Sequence, residues 1–311
     1  MLGLQLASRP LVHHRLSWSF REICGEDAKM KFNPAIVSIL EESSHAQPIE
    51  VPKDKLLGDL LPTGFDESLF PEKETVFHFL GRYLFHPTNA VWGLISRYYE
   101  AYLSKADVTV GIQIRSFDAT PDPVIVDQIL SCTTRENVLL EMSQQEGGAN
   151  SSIKQKKKVS VLITSLSSGY FEQIRDLYWE NPTTTGEVVA VFQPSNERYQ
   201  QSEKQNHNRK AWTEIYLLSL TDKLVTSSSS TFGYVAQGLR GVRPWILSET
   251  ENQTAPDPPC RRVMSMEPCF HSPAFFNCKT KRGIDPGAVV PHVRHCEDRS
   301  WGLKLFQNHS K

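Results

Sequence analysis

Residues 108–250 predict an α/β domain, a parallel sheet covered by helices on both faces. Two observations carry that expectation. Short runs with apolar residues at every second position alternate strictly with longer runs of helical spacing. Within this pattern, residues 217–247 read as strand, hydroxyl-rich turn, helix and strand, the local unit from which such domains are assembled.

The elements follow in order. Residues 1–53 hold Pro10, the pair His13 and His14, an apolar patch at 35–40 and a polar stretch at 41–50, and poor order is expected there. From 54 to 107 the text tightens. A short amphipathic piece at 54–67 is broken by Pro62 and Gly64, and two helices are expected at 75–83 and 91–103, the second on Val91, Leu94, Ile95, Tyr98, Tyr99 and Tyr102. Val108, Val110, Ile112 and Ile114 alternate with polar partners and predict a strand at 108–117. A helix follows at 123–132, on Val124, Ile125, Ile129 and Leu130. Further strands are expected at 159–166 and 187–193. Helices are expected at 169–179, stopping before Pro182, and at 203–220, with Trp212, Ile215, Tyr216 and Leu218 inward. Residues 251–311 are expected to form a cysteine-rich segment that packs back on the domain.

In sheets of this class ligands sit beyond the carboxyl ends of the strands. Arg115 ends the first strand, Thr164 and Ser165 close the second, and Ser227 to Gly233 follow the strand before the last helix. Ser229, Ser230, Thr231, Phe232 and Gly233 at a helix start, facing Arg115, make a phosphate cradle. Unpaired N–H groups and the positive end of the helix dipole favour an anion, and a guanidinium forks onto a diphosphate better than an ammonium does.

Other chemistries find less support. The formal net charge is -1, so neither nucleic acid nor a polybasic membrane surface is an expected partner, and the basic run at 154–158 reads as a solvated loop flank. The text has no glycine-rich dinucleotide fingerprint, no Gly-Lys-Ser/Thr loop and no Asp-x-Asp pair after a strand, and Asp118 and Asp122 are too loosely spaced to replace one. No metal is expected. For a general base His86, His271, Glu267, Glu297 and Asp298 are candidates, none with a telling spacing.

Cys260, Cys269, Cys278 and Cys296 crowd the tail together with His271, His292 and His295. Without a Cys-x-x-Cys chelate, disulfides are favoured over zinc; four cysteines leave three pairings open, with Cys24 and Cys132 outside them. Asn150, Asn252 and Asn308 head glycosylation sequons. Disulfides and sequons are marks of a lumenal protein, whereas no apolar run is long enough to cross a bilayer and no signal-peptide pattern opens the chain.

With these residues in view, the text resembles the plant xyloglucan α-1,2-fucosyltransferase family from about residue 71 to 305, with a separate short match at 54–67. The stretches that carry the resemblance are FLGRYLFHPTNAVWGL (79–94), GIQIRSF (111–117), NPTTTGEVVAVFQPS (181–195), the segment 217–247, and PDPPCRRVMSMEPCFHSPAFFNCK with VVPHVRHCEDRSWGLKL in the tail. The resemblance implies a GT-B-like inverting enzyme in the Golgi membrane or lumen, without a metal. It would transfer fucose from GDP-fucose to a galactose hydroxyl of xyloglucan or arabinogalactan, as a homodimer or within a Golgi glycosyltransferase complex. It implies that Arg115 and residues 230–233 hold the donor. Against the family text, Ser229 replaces the usual tryptophan. The membrane anchor, the stem and most of the N-terminal Rossmann-like half have no counterpart here. The expectation is therefore a complete donor-binding half, and the alternative is an impaired fragment that binds GDP without an acceptor site.

Overall fold

The computed structural model describes residues 76–306 apart from 117–119, 140, 143–155, 198, 202–203, 251–253, 272, 274–275, 278–281, 284 and 290–292. The expectations for residues 1–75, for Cys278 and His292, and for the sequons at Asn150, Asn252 and Asn308 lie outside the described residues.

The elements are α1 (Val76–Leu84), α2 (Asn89–Tyr102), β1 (Val108–Gln113), α3 (Pro123–Arg135), β2 (Lys158–Thr164), α4 (Ser168–Glu180), β3 (Val188–Phe192), α5 (Gln205–Leu218), β4 (Lys223–Thr226), α6 (Thr231–Arg240), β5 (Trp245–Leu247) and β6 (Cys260–Arg262). Then come β7 (Phe276–Asn277), β8 (Arg282–Gly283), α7 (Pro286–Val289), β9 (Val293–His295) and β10 (Leu303–Leu305). The main sheet runs β3-β2-β1-β4-β5-β6, with parallel pairing as far as β5 and an antiparallel edge at β6. No described helix is long and apolar enough to cross a membrane.

Side-chain alternation along the strands builds two separate cores. On one face Val110 and Ile112 of β1, Val161 and Ile163 of β2 and Val225 of β4 pack with Ile129 of α3 and with Tyr170 and Ile174 of α4. On the other, Leu162 and Leu224 pack with Ile95 of α2, Leu217 and Leu218 of α5 and Leu239 of α6. A sheet buried on both faces explains why β1 and β2 are apolar at nearly every position.

The chain leaves β1 for β2 and β3, then crosses back to place β4 on the other side of β1. This reversal opens a crevice between the carboxyl ends of β1 and β4. There β1 stops four residues short of the expected 117, because its hydrogen bonds change partner: the Ile114 N–H still reaches the Thr164 carbonyl at 2.9 Å, but the Arg115 N–H donates to the Ser227 hydroxyl at 2.9 Å.

The tail departs most from expectation. It contributes an edge strand to the main sheet, and the β9–β10 hairpin is extended by a bridge between Phe270 and Leu303. Cys132, expected outside the pairing, is bonded to Cys260, and Cys269 is bonded to Cys296. Cys132 lies on the buried face of α3, which packs over the sheet where β6 joins it, so a partner 128 residues away in sequence is adjacent in space. These bonds remove three of the four tail thiols that a zinc site would need. Among the described residues no group of three His, Cys, Asp or Glu side chains is placed to hold a metal ion.

Candidate functional site

A cleft of about 590 Å³ lies above the strand ends and contains both halves of the expected cradle. Arg115 lines it from the end of β1, Thr164 and Ser165 from the end of β2, and Ser230, Thr231 and Phe232 from the start of α6. Its far wall is the loop after β3, with Ser195 and Glu197, and the inner side of α5, with His207, Lys210 and Glu214.

The hydroxyl run 226–230 divides its labour. Ser227 stitches the loop to β1: its N–H donates to the Gln113 carbonyl at 3.0 Å, and its hydroxyl accepts from the Arg115 N–H. Ser230 is the N-cap of α6, with its hydroxyl accepting from the Gly233 N–H at 3.5 Å. The N–H groups of Thr231 and Phe232 lie in the first turn, where no intrahelical carbonyl can reach them. Gly233 lets α6 approach the sheet: a Cβ there would stand 2.9 Å from Thr226 Cβ and 3.0 Å from Gln113 Oε1. Ser229, expected in the cradle, is turned away. With φ of 51° it lines a second hollow beside the tail, where its N–H donates to Asp298 Oδ2 at 2.8 Å.

Three buried polar atoms stand abreast at the floor. Gln113 pairs in register with Thr164 on one side and Thr226 on the other, and Gln113 Oε1, Thr164 Oγ1 and Thr226 Oγ1 have no hydrogen-bond partner. Gln113 and Thr164 line the cleft directly, and uncompensated buried polar atoms in such a place suit a polar ligand.

Sequence patterning missed Glu214. It is buried on α5 and accepts a hydrogen bond from the Ser195 hydroxyl, while Lys210 pairs with Glu197 instead. Burial raises the Glu214 carboxyl to about 7, with the Ser195 hydrogen bond opposing the rise. The signal was present: position 214 lies three and four residues before the buried Leu217 and Leu218, so a carboxylate there interrupts the apolar stripe.

The five base candidates lie outside this cleft. Glu297 accepts from the Met264 N–H and forms a buried ion pair with Lys304 at 2.5 Å. Glu267 accepts from the Phe77 N–H, and Asp298 from the Tyr234 hydroxyl. His271 packs edge-on against Tyr234, where burial, reinforced by Arg299 and Arg115, pushes its pKa below the ordinary value. His86 is exposed between α1 and α2.

A family model described as xyloglucan fucosyltransferase matches residues 66–279. A galactoside 2-alpha-L-fucosyltransferase of Pisum sativum is 66% identical over 242 residues, covering 77% of this chain and 43% of that protein. One of the same description from Arabidopsis thaliana is 61% identical over 251 residues, covering 79% of this chain and 45% of its own length. Among solved structures, a mutant of Arabidopsis thaliana FUT1 in complex with GDP superposes with a TM-score of 0.67 at 58% identity, over 77% of this chain and 51% of that one. The chain thus spans less than half the length of the two curated relatives. The described α/β domain is of the GT-B-like kind found in these transferases.

Proposed function

Because this chain belongs to the xyloglucan fucosyltransferase family, we propose that it holds the donor half of an inverting glycosyltransferase, one that moves fucose from GDP-fucose to a galactose hydroxyl of a cell-wall glycan. The observation that carries this reading is the convergence of Arg115 and residues 230–232 on one cleft at the β1/β4 crossover.

The chemistry follows from the charge that develops. As the bond from fucose C1 to the β-phosphate oxygen breaks, the departing GDP gains negative charge. The Arg115 guanidinium and the first-turn N–H groups of α6 face that oxygen and stabilise it, without a metal in the scheme. The galactose oxygen bonds C1 from the opposite side as that bond breaks, and its proton passes to solvent water. The Ser227 contact fixes the Arg115 backbone at the mouth of the cleft. A Golgi-lumenal setting accords with the two disulfides. Association as a homodimer or in a glycosyltransferase complex belongs to the same reading.

Calorimetry with GDP on the 311-residue chain, beside a fucose-transfer assay on galactose-terminated xyloglucan, tests it. Arg115→Ala should weaken GDP by about 10- to 100-fold, the loss of a charge-assisted pair. Equal affinity in the variant removes Arg115 from the cradle. GDP binding without transfer restricts the function to donor capture.

A further inference from the structure

The polarity of α1 is inverted. Its inner side carries the polar groups: His78 Nδ1 lies 2.8 Å from the Leu239 carbonyl at the end of α6, and Arg82 Nε donates to the same carbonyl at 2.7 Å. Phe77 and Gly81 complete that side, with Gly81 so close to α6 that an added Cβ would stand 3.2 Å from Leu239 Cδ2. The outer side is apolar. Val76, Leu80, Tyr83 and Leu84 follow one another at steps of four, three and one, which places them on a single arc of the helix, and Tyr83 and Leu84 are 79% and 63% exposed. A helix that faces water shows the opposite arrangement, so an outer face of this kind marks a docking seat. The seat continues past the helix end. The Phe85 ring lies 6.0 Å from Phe77 and 6.3 Å from Trp212, and the neighbouring Tyr216 meets the half-exposed Trp92.

We propose that residues 54–67 of the same chain cover this seat, laying Leu56, Leu57, Leu60 and Leu61 along the outer face of α1. Spacing singles them out first: these leucines follow at steps of one, three and one, a helical stripe like the one α1 presents, and Pro62 ends it. Charge agrees. Asp54, Asp59, Asp66 and Glu67 outnumber Lys55, whereas residues 76–88 hold His78, Arg82 and His86 and no acid.

The tether decides between this segment and a second copy of the chain. Residues 68–75 join it to α1, and eight residues span at most about 29 Å when extended, twice the length of about 14 Å that a nine-residue helix has. Every point of the seat is therefore within reach. A segment held this close acts at an effective concentration on the order of millimolar, which a separate copy at micromolar concentration does not match. The seat lies against the end of α6 and the phosphate cradle at its start, so this docking stands or falls apart from donor binding.

The test is photo-cross-linking on the full chain, with a benzophenone side chain at position 84, where exposure leaves room for it. Irradiation at micromolar protein, digestion and mass spectrometry should find position 84 joined to residues 54–67 of the same chain. In a mixture of isotopically heavy and light chains, adducts that join heavy to light make a second copy the occupant and overturn the proposal. Adducts to any other segment, or none, overturn it as well. Leu57→Lys and Leu61→Lys placed together in that chain should cut the internal adduct about tenfold or more, since each leucine buried is worth at least that factor. An undiminished yield means that the tether alone brings the segment near, and it also sinks the docking. Hydrogen exchange supplies a readout without a cross-linker: in the double variant the α1 amides should exchange about tenfold faster than in the native chain, while the β1 amides keep their native rates. Equal α1 rates in the two chains overturn the proposal.

Discussion

Asp298 ties the loop before α6 to the tail. Its Oδ2 accepts the Tyr234 hydroxyl at 2.5 Å and the Ser229 N–H at 2.8 Å. Burial, assisted by that carboxylate, drives the Tyr234 hydroxyl far above the ordinary phenol range, so it remains a donor at any physiological pH. Tyr234→Phe leaves Asp298 one partner short and should cost about 1–3 kcal/mol, read as a lower urea midpoint at unchanged slope. An unmoved midpoint would show that water replaces the hydroxyl at no loss. Glu214 makes a prediction of a different sign. Its folded carboxyl is raised to about 7 from the ordinary 4.5, so the native state holds the proton more tightly than the unfolded chain does. The resulting stability is complete below 4.5 and is lost as pH rises through 7, a change of at most about 3 kcal/mol. His78 and His271, both lowered by burial, act oppositely as pH rises through 6.5. The comparison must therefore be between the native chain and Glu214→Gln: the variant should lose less stability between pH 5 and pH 8, and parallel curves would mean that Glu214 is charged throughout.

At the scale of elements, the start of α6 concentrates the most consequence in the fewest residues. Ser230→Ala removes the N-cap and should cost about 1 kcal/mol, a loss general to any helix. Gly233→Ala differs, because the added methyl meets Thr226 and Gln113 and pushes the helix entrance off the sheet. Its cost should be about 1–3 kcal/mol. It should also weaken GDP more than Ser230→Ala does, since it displaces the first-turn N–H groups rather than loosening them; equal GDP affinities would mean that the helix entrance does not position the ligand. Much of this was legible in sequence. The alternation of Val108, Val110, Ile112 and Ile114 marked β1, and the hydroxyl run ending at Ser230 marked the start of α6. The turning of Ser229 toward Asp298 was not legible, because it depends on a partner 69 residues away. Nor was the early end of β1, which is set by a side-chain hydroxyl from β4's loop. Glu214 was readable only as an interruption of the stripe that Tyr216, Leu217 and Leu218 define, and a stripe is judged by its apolar members.

At the scale of the molecule, the tail is held to the α/β domain at several separated points. β6 pairs with β5, Glu267 accepts the Phe77 N–H of α1, and Asp298 grips the loop before α6. Its strands are two or three residues long, too short for periodicity to register, and their partners are distant, which is why the sequence suggested only a cysteine-rich segment that packs back on the domain. The Cys132–Cys260 bond is the covalent part of this attachment. It closes a loop with a sequence separation of 128 and joins α3 to the edge strand, restricting the unfolded chain far more than Cys269–Cys296, whose separation is 27. On chain-entropy grounds the longer bond should stabilise by about 5 kcal/mol and the shorter by about 3.5 kcal/mol. Replacing Cys132 and Cys260 together by alanine should therefore lower the urea midpoint more than replacing Cys269 and Cys296. Because Cys260 sits where β6 joins β5, at the edge of the sheet remote from the β3 end of the cleft, the first pair should leave GDP affinity intact. The second pair holds the segment that carries Asp298 beside the α6 entrance, so its loss should weaken GDP itself while sparing most of the fold. Equal GDP affinities in the two double variants would mean that the tail stabilises the domain without helping to shape its ligand cleft.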